Sequence, residues 1–376
     1  MREAQLDDGL VPDISPEYVV FDGGFRDSPE WGSACVIAPW RAYQMNGDRR
    51  ILVEQYEAMK RYVGYLGTKA KSQILSHGLG DWYDIGPHGL GESQLTSLGL
   101  TATGVYFQDI DILRRIAVMI GKDEDARFYA KLADEVRNAF NSAFFHAEQN
   151  QYDRNSQTGN AMPLFLGLVA PDRRAAVFDN LVGDVRKSGN RVTSGDVGFY
   201  YLIQALLNGG RSDVLYDMLC QTNGPGYMYQ LRMNATSLTE AWDTNPVSSQ
   251  NHCMLGHIEE WFYSGLLGIR PDAPGFQKIV ISPQLLGDLT WASGYYHSMH
   301  GRIVSEWKRD ADRLTMNITI PANTTATVYI PASNEASVTE SDKPATLARG
   351  VKFLRMEGKN VVYAVGSGVY QFKSSL

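Results

Sequence analysis

Hydrophobic positions recur every three or four residues through much of the first 270 positions, which is the spacing of one helix face. Three long helices are predicted in this way, with apolar positions at Leu52, Tyr56, Met59, Val63 and Leu66; Tyr106, Ile110, Leu113, Ala117 and Ile120; and Tyr129, Leu132, Val136 and Phe140. Shorter helices are predicted around 160–168, 171–187, 197–208 and 211–220, and a last strong one at 251–267. The pattern predicts about ten helices and no convincing strand before residue 270.

Short and long connections alternate between these helices, and the long ones contain most of the glycines and prolines. This arrangement suits a toroid of paired antiparallel helices, in which the long loops gather at one end. Function concentrates on such loops, so the candidate chemistry is expected there.

The composition changes after Pro271, and the rest of the chain predicts β-strands. The strand segments are β-branched and alternate in polarity, and they lie at 278–281, 301–307, 314–320, 325–330, 361–365 and 369–372. Residues 310–312 and 321–323 are candidate hairpin turns. We therefore expect an antiparallel β-sandwich over residues 278–376 that supports a helical region over residues 1–270, with the boundary between Gly268 and Lys278.

Composition and charge narrow the functional classes. The 376 residues are 44% hydrophobic and 20% charged, as in an ordinary soluble globular protein, and the net charge of -7 argues against binding to nucleic acid or to a membrane surface. No apolar run approaches the length of a membrane span. Three cysteines without a C-x-x-C pair indicate neither a disulfide framework nor a zinc site. No metal and no organic cofactor are predicted. The compartment, bacterial periplasm or cytoplasm, is left open, since any export signal would precede Met1.

Three of the predicted long loops, at 22–31, 80–87 and 237–243, carry carboxylates beside aromatic residues. In the third, Glu240 lies two residues before Trp242, and Ser249-Gln250-Asn251-His252 follows. Carbohydrate enzymes use such groups, because acid–base work needs carboxylates and a sugar ring stacks on a flat apolar face. The alternative is a set of helix caps, solvated turns and core tryptophans. Whether the three loops converge is not visible in the sequence.

Several motifs resemble the bacterial α-L-rhamnosidases of glycoside hydrolase family 78. The most specific is Thr-Ser-Leu-Thr-Glu-Ala-Trp at 236–242, together with Ser-Gln-Asn-His at 249–252. Pro29-Glu30-Trp31-Gly32, Gly80-Asp81-Trp82-Tyr83-Asp84 and Glu260-Trp261 are also similar. The resemblance covers essentially the whole chain. It implies an (α/α)6 barrel that cleaves terminal α-linked rhamnose with inversion, acting on rhamnose-containing oligo- or polysaccharides.

The resemblance also implies roles for individual residues. Glu240 matches the general base that activates water. The positions that match the lining of the rhamnose pocket are Trp31, Asp81, Trp82 and His252. Asp22, Asp27 and Glu30 belong to a loop at the pocket mouth, and Trp242 is a further substrate-binding candidate because it adjoins the base.

One departure from the family concerns the general acid. The family carries it in a motif of the form Arg-Glu-x-Leu-Gly-Trp, which does not occur in these 376 residues. We therefore expect the chain to begin inside the barrel, without its first helices, and to lack hydrolase activity alone unless Asp27, Glu30 or Asp81 serves as the acid. The open barrel edge would then expose Met254, Ile258, Trp261 and Phe262, and would favour self-association.

Two other functions remain open from the sequence. The first is a non-catalytic sugar-binding protein on the same scaffold, which the missing acid motif favours. The second is another helical-toroid enzyme such as a polysaccharide lyase, which acts on an acidic sugar. The many carboxylates of the three loops would repel a uronate, so the lyase is the weakest of the three readings.

Overall fold

A computed structural model of the chain describes residues 1–89 and 91–376 and divides into two compact units. The first unit comprises Met1–Trp40 and Arg50–His257, and the second comprises Arg41–Arg49 and Ile258–Leu376. The first unit is helical, whereas two β-sheets form most of the second. The predicted fold class, a helical region followed by a β-sheet region, is confirmed.

The α-helices of the described residues are α1 (Pro29–Gly32), α2 (Ala34–Asn46), α3 (Arg50–Lys69), α4 (Leu98–Ile120), α5 (Asp123–Phe144), α6 (Gln157–Leu166), α7 (Arg174–Lys187), α8 (Gly198–Asn208), α9 (Ser212–Cys220), α10 (Tyr227–Arg232) and α11 (Ile258–Trp261). The predicted apolar faces of α3 and α4 form core, since Leu52, Met59, Leu66, Ile110 and Leu113 have no exposed surface. Helix α4 packs against both α3 and α5, and α6 packs against α7 and α8.

Local sequence signals account for several helix ends. Gly121 ends α4 with a left-handed backbone (φ 74°), a conformation that glycine adopts without steric cost. Helix α5 begins at Asp123, where a carboxylate is favoured by the helix dipole. The hydroxyl of Ser156 accepts a hydrogen bond from the N–H of Gly159 (2.9 Å) and so caps α6.

Two predictions for the helical region are wrong. The first is the absence of strands, because β1 (Phe145–His146) and β2 (Gln151–Tyr152) form a short antiparallel hairpin. The second is the continuous helix at 251–267, which is replaced by a 3-10 turn (Met254–His257), α11 and a π-helical turn (Phe262–Leu266). Residues 251–253 are not helical, because the N–H of His252 donates to the carbonyl oxygen of Leu238 (2.8 Å) and ties this stretch to another loop.

The second unit contains β3 (Ile269–Pro271), β4 (Lys278–Ile281), β5 (Trp291–Ser298), β6 (Gly301–Asp310), β7 (Arg313–Ile320), β8 (Thr325–Pro331), β9 (Thr339–Glu340), β10 (Lys343–Pro344), β11 (Val351–Glu357), β12 (Asn360–Val365) and β13 (Gly368–Ser375). One sheet has the order β10-β9-β13-β7-β6-β5, and the other has the order β11-β12-β8-β4-β3. Side chains from both sheets form one core, including Ile281, Val328, Trp307, Met316 and Phe372.

The strand predictions hold with two corrections. Strands β6 and β7 form the hairpin expected around Asp310–Asp312, with antiparallel pairing from Asp310 and Arg313 onward. Residues 321–323 do not form a hairpin, since β7 and β8 belong to different sheets and the segment crosses between them. The pairing is also not wholly antiparallel, because β4 and β8 run parallel.

The prediction that an apolar face of the last helix is exposed is wrong for two of its residues. Ile258 is 6% exposed and Trp261 is fully buried, whereas Phe262 is 37% exposed. The self-association prediction therefore loses this support and stays a prediction. Among the described residues no helix is both long and apolar enough to cross a membrane.

Candidate active site

Glu240 lies in an irregular segment that is hydrogen-bonded to the segment around Ser249. The N–H of Glu240 donates to the carbonyl oxygen of Ser249 (2.9 Å), and the N–H of Ser249 donates to Oε2 of Glu240 (3.0 Å). The bond from His252 to Leu238 extends this pairing by one more step (2.8 Å). The motifs at 236–242 and 249–252 therefore lie side by side.

The three carboxylate–aromatic loops converge in the structure. The N–H of Leu79 donates to Oγ of Ser28 (3.0 Å), which joins the first loop to the second. The ring of Phe25 packs edge-on against that of Trp82, with centroids 5.4 Å apart. The indole Nε1 of Trp82 points to Oε1 of Glu240 at 3.5 Å, at the limit of a hydrogen bond, and joins the second loop to the third.

Asp196, just before α8, is a carboxyl group that the sequence analysis missed. Its side chain is 1% exposed, and Oδ2 lies 3.8 Å from Nε2 of His252. One oxygen of Asp196, one of Glu240 and a ring nitrogen of His252 all lie within 4.8 Å of one another. In the sequence, Asp196 is an aspartate in a glycine-rich stretch just before a predicted helix. Such a position is typical of a helix cap and does not by itself indicate a site residue.

Neither carboxyl oxygen of Asp196 has a hydrogen-bond partner within the described part of the chain. Its backbone is nevertheless fixed, because its N–H donates to the carbonyl oxygen of Trp82 (2.8 Å) and its own backbone is hydrogen-bonded by the His257 side chain. Burial, together with the nearby charges of Asp81 and Glu240, raises the pKa of Asp196 to about 8. This carboxyl is therefore protonated at neutral pH.

Asp81, a predicted sugar ligand, is turned away from the site and has no exposed surface. Its carboxylate accepts hydrogen bonds from the backbone N–H groups of Gly195 (3.0 Å) and Gly198 (2.6 Å) and from the hydroxyl of Thr158. These bonds cap the start of α8. Burial raises the pKa of Asp81 to about 7. Because its oxygens are occupied and inaccessible, Asp81 supports the loop of Asp196.

Trp242 is also core rather than pocket lining. It is completely buried, and its Nε1 donates to the carbonyl oxygen of Ser194 (3.0 Å). The ring packs edge-on against Phe199 (centroids 4.9 Å apart) and Tyr227 (5.2 Å). Its role in this structure is to anchor the segment that carries Glu240, since a ring with no free face cannot stack on a sugar.

Asp22 and Asp27 line a cavity of about 570 Å³ that also includes Tyr65, Lys69 and His77. Oδ2 of Asp27 accepts from the Tyr65 hydroxyl (2.5 Å) and lies 3.5 Å from Nζ of Lys69, while Oδ1 lies 3.4 Å from Nε2 of His77. Burial acts to raise the pKa of Asp27, but the hydrogen bonds from His77 and Tyr65 hold it below its usual value. Asp27 is therefore an ionised group in a charged cavity, and Asp22 is exposed at its edge.

Glu30 and Trp31 lie in α1, the short helix at the end of the first loop. Oε1 of Glu30 accepts from the Thr101 hydroxyl (2.6 Å) and Oε2 from the Ser28 hydroxyl (2.7 Å), so both oxygens are engaged. Burial raises the pKa of Glu30. Trp31 is partly exposed. The described contacts of the Glu240 group include Trp82 but not Trp31.

One oxygen of Asp196, one oxygen of Glu240 and one ring nitrogen of His252 lie within 4.8 Å of one another, a spacing that is common in proteins without a bound ion. We assign no metal to these residues. The absence of a metal and of an organic cofactor stays a prediction.

The helical unit places a carboxylate beside an indole and a histidine, and comparisons with known proteins assign this unit to the six-hairpin class of glycosidases. The family model of the bacterial alpha-L-rhamnosidase six-hairpin glycosidase domain matches residues 1–266, and that of the bacterial alpha-L-rhamnosidase C-terminal domain matches residues 268–344. The chain belongs to the bacterial α-L-rhamnosidase family. The resemblance found in the sequence is thereby confirmed.

Individual relatives give the same result. An alpha-L-rhamnosidase of Alteromonas sp. (strain LOR) is 30% identical over 369 residues, covering 94% of this chain and 40% of its own length. The crystal structure of Streptomyces avermitilis alpha-L-rhamnosidase complexed with L-rhamnose aligns with all of this chain and 35% of its own (TM-score 0.89, 28% identity). The alpha-L-rhamnosidase from Dictyoglumus thermophilum aligns with all of this chain and 42% of its own (TM-score 0.91, 31% identity). The chain thus spans less than half the length of each.

Proposed function

We propose that this chain carries the base-bearing part of an inverting α-L-rhamnosidase, which acts on terminal α-L-rhamnosyl groups of oligo- or polysaccharides. The observation that carries the proposal is the setting of Glu240. Its half-buried carboxylate accepts from the N–H of Ser249 (3.0 Å), and Trp82 and His252 lie beside it. Membership of the α-L-rhamnosidase family supports the choice of sugar.

In this reaction Glu240 acts as the general base. It takes a proton from a water molecule while the water oxygen forms a bond to the anomeric carbon and the bond from that carbon to the leaving oxygen breaks. The leaving oxygen takes a proton from a general acid. The backbone hydrogen bond from Ser249 fixes one carboxylate oxygen, Oε2, which leaves Oε1, beside the indole of Trp82, to face the water.

Trp82 and His252 are the proposed sugar ligands. Rhamnose carries an apolar methyl group at C5, and the indole of Trp82, with Phe25 packed against it, offers an apolar surface next to the base. His252 is partly exposed and offers its imidazole to a sugar hydroxyl. Trp31, Asp22, Asp27 and Glu30 remain proposed pocket residues, on the family resemblance alone.

The three carboxyls that the sequence offers as substitute acids are each engaged elsewhere. Asp27 is held ionised by its partners, both oxygens of Glu30 accept hydrogen bonds, and Asp81 has no exposed surface. We assign none of them as the acid. The base is best tested with α-L-rhamnosyl fluoride, because fluoride leaves without being protonated and the acid is not required.

We also keep the proposed boundary between Gly268 and Lys278, with the β-rich unit in a supporting role. The family match changes between residues 266 and 268, at the N-terminal edge of this interval. The segment from Ile258 onward already belongs to the same compact unit as the β-sheets. The boundary between the two compact units therefore comes earlier in the chain than the boundary between the two family matches.

The experiment uses proton NMR to monitor the early products when the chain hydrolyses α-L-rhamnosyl fluoride. The Glu240→Gln variant and the matched control Asp243→Asn are measured in the same way. We expect β-L-rhamnose first, and a loss of about 10²–10⁴-fold in turnover for Glu240→Gln. Asp243 is exposed, it accepts a hydrogen bond from the N–H of Asn245 in its own turn (3.1 Å), and it should be dispensable. Full turnover in Glu240→Gln would refute the base. Rhamnose binding without any hydrolysis by the chain would favour the non-catalytic sugar-binding function.

A further inference from the structure

Asp196 has two carboxyl neighbours, Glu240 in the site and Asp81 behind it, and the three groups differ in their hydrogen-bond donors. Asp81 accepts from two backbone N–H groups and a hydroxyl, and Glu240 accepts from the N–H of Ser249 and faces the indole N–H of Trp82. Asp196 accepts from no described donor, although it is 1% exposed. Hydrogen bonds from donors stabilise an ionised carboxylate, and burial without them destabilises it.

The position of Asp196 excludes two direct roles. A side chain that is 1% exposed cannot reach a glycosidic oxygen, so it does not serve as the general acid. The spacing gives the same result, because an inverting pair needs roughly 6.5–9.5 Å between carboxyls. The oxygens of Asp196 and Glu240 approach within 4.8 Å. Asp196 therefore acts on the reaction only through its neighbours.

We propose that Asp196 is a positioning residue of the catalytic base: it holds the single proton that the Asp196–Glu240 pair carries at neutral pH, and it thereby leaves Glu240 as the ionised member. This inference rests on the proposed function of Glu240. Two ionised carboxylates this close repel each other strongly in a buried setting, so one proton is shared between them. Asp196, the carboxyl without a described hydrogen-bond donor, holds this proton.

The groups that face Asp196 agree with this assignment. Two of them, Asp81 and Glu240, are carboxyls, and their negative charges disfavour a further negative charge on Asp196. Burial and these two charges raise the pKa of Asp196 to about 8. His252 lies 3.8 Å away through Nε2, and the side chain of His257 bonds to the backbone of Asp196. Burial lowers the pKa of His257, so that residue supplies no compensating positive charge.

A protonated Asp196 has one O–H to donate. Nε2 of His252 lies 3.8 Å from Oδ2 and an oxygen of Glu240 lies within 4.8 Å, so a small movement of the side chains would bring either acceptor into hydrogen-bond distance. Donation to either would hold the carboxylate and the imidazole in one arrangement. Above pH 8 Asp196 loses this proton, the donor disappears and a second negative charge stands beside the base. The rate of the base-dependent step should then fall.

The kinetic test uses α-L-rhamnosyl fluoride with Asp196→Ala, Asp196→Asn and the control Asp184→Asn. Asp184 is a half-buried carboxyl of α7 whose pKa is likewise raised by burial, and it lies outside the proposed site. Asp196→Ala should lower kcat about tenfold to hundredfold with KM within about twofold, the size expected for losing a hydrogen bond to a charged group. Asp196→Asn keeps a neutral donor and should recover most of that loss at pH 7. It should also remove the fall in rate above pH 8 that we expect of the unsubstituted chain.

The second test needs no activity. In the chain labelled with 13C at aspartate carboxyls, one resonance should titrate near pH 8 and be missing from Asp196→Asn only. A resonance of Asp196 that titrates near pH 4, paired with a protonated His252 at pH 7, would overturn the inference. Equal kcat for the alanine and asparagine variants would also overturn it. Neither result touches the proposed function, which fails separately if Glu240→Gln keeps full turnover.

Discussion

Glu240 and Ser249 exchange two hydrogen bonds, one between their backbones and one from the Ser249 N–H to the Glu240 carboxylate (2.9 and 3.0 Å). The carboxylate is thus oriented by main chain rather than by a flexible side chain. The same bonds bring His252 beside Glu240, although a loop separates them in the sequence. A base held in this way needs no movement before it accepts a proton.

The first prediction concerns that backbone donor. Ser249→Pro removes the N–H that fixes Oε2 of Glu240, and we expect turnover of α-L-rhamnosyl fluoride to fall at least about tenfold. Ser249→Ala keeps the N–H and should stay close to the unsubstituted chain. Steady-state kinetics on both variants decide the matter, and equal rates would show that the bond does not position the base.

Trp82 should govern the affinity for sugar. Trp82→Phe removes the indole N–H next to Glu240 and shortens the apolar surface, so calorimetry should show weaker binding of L-rhamnose, by about tenfold. Trp291→Phe is the matched control, because Trp291 is 65% exposed on β5. Weakened binding in the control but not in Trp82→Phe would contradict the assignment.

Trp242 should govern stability instead. Trp242→Ala empties a fully buried site and should cost about 3–5 kcal/mol in the free energy of unfolding. Trp242→Phe should cost less, although it leaves the carbonyl of Ser194 without its indole donor. Urea denaturation measures both. If Trp242→Phe keeps its stability but loses rhamnose binding, Trp242 is a sugar ligand after all.

Stability should fall as pH rises from about 4 to about 8. Burial raises the pKa of Asp13 and Asp81 to about 7 and that of Asp196 to about 8, against an ordinary value of 3.8. Between these values the folded chain binds more protons than the unfolded chain, so each rise in pH favours unfolding. Denaturation midpoints across this range measure the slope, and Asp196→Asn should flatten its upper end. Stability that increases steadily to pH 8 would refute these shifts.

The long helices and the site motifs could be predicted from the sequence, because each depends on residues close together in the chain. The apolar faces of α3 and α4 follow helical spacing, and Glu240 lies in a contiguous motif. Which loop aspartate faces the base depends on long-range geometry. Asp81 is adjacent to Trp82 in sequence, yet it turns to cap α8, and Asp196 takes the place beside Glu240.

The same limit applies to tryptophans and to strands. Trp242 is two residues from Glu240, but successive side chains point in different directions, and this one enters the core. Strand β5 alternates half-buried and exposed positions without a strong apolar pattern, so periodicity did not reveal it. The crossing at 321–323 resembles a hairpin turn locally, and only the pairing of β7 with β13 and of β8 with β12 distinguishes the two.

The central claim is that Glu240 is the base of an inverting reaction, and azide rescue of Glu240→Ala tests it most directly. The alanine variant leaves room for azide where the activated water would stand. With α-L-rhamnosyl fluoride, we predict that azide restores turnover and that the product is β-L-rhamnosyl azide, identified by NMR. An α-configured azide, or a variant that hydrolyses the fluoride at the full rate without azide, would contradict the account.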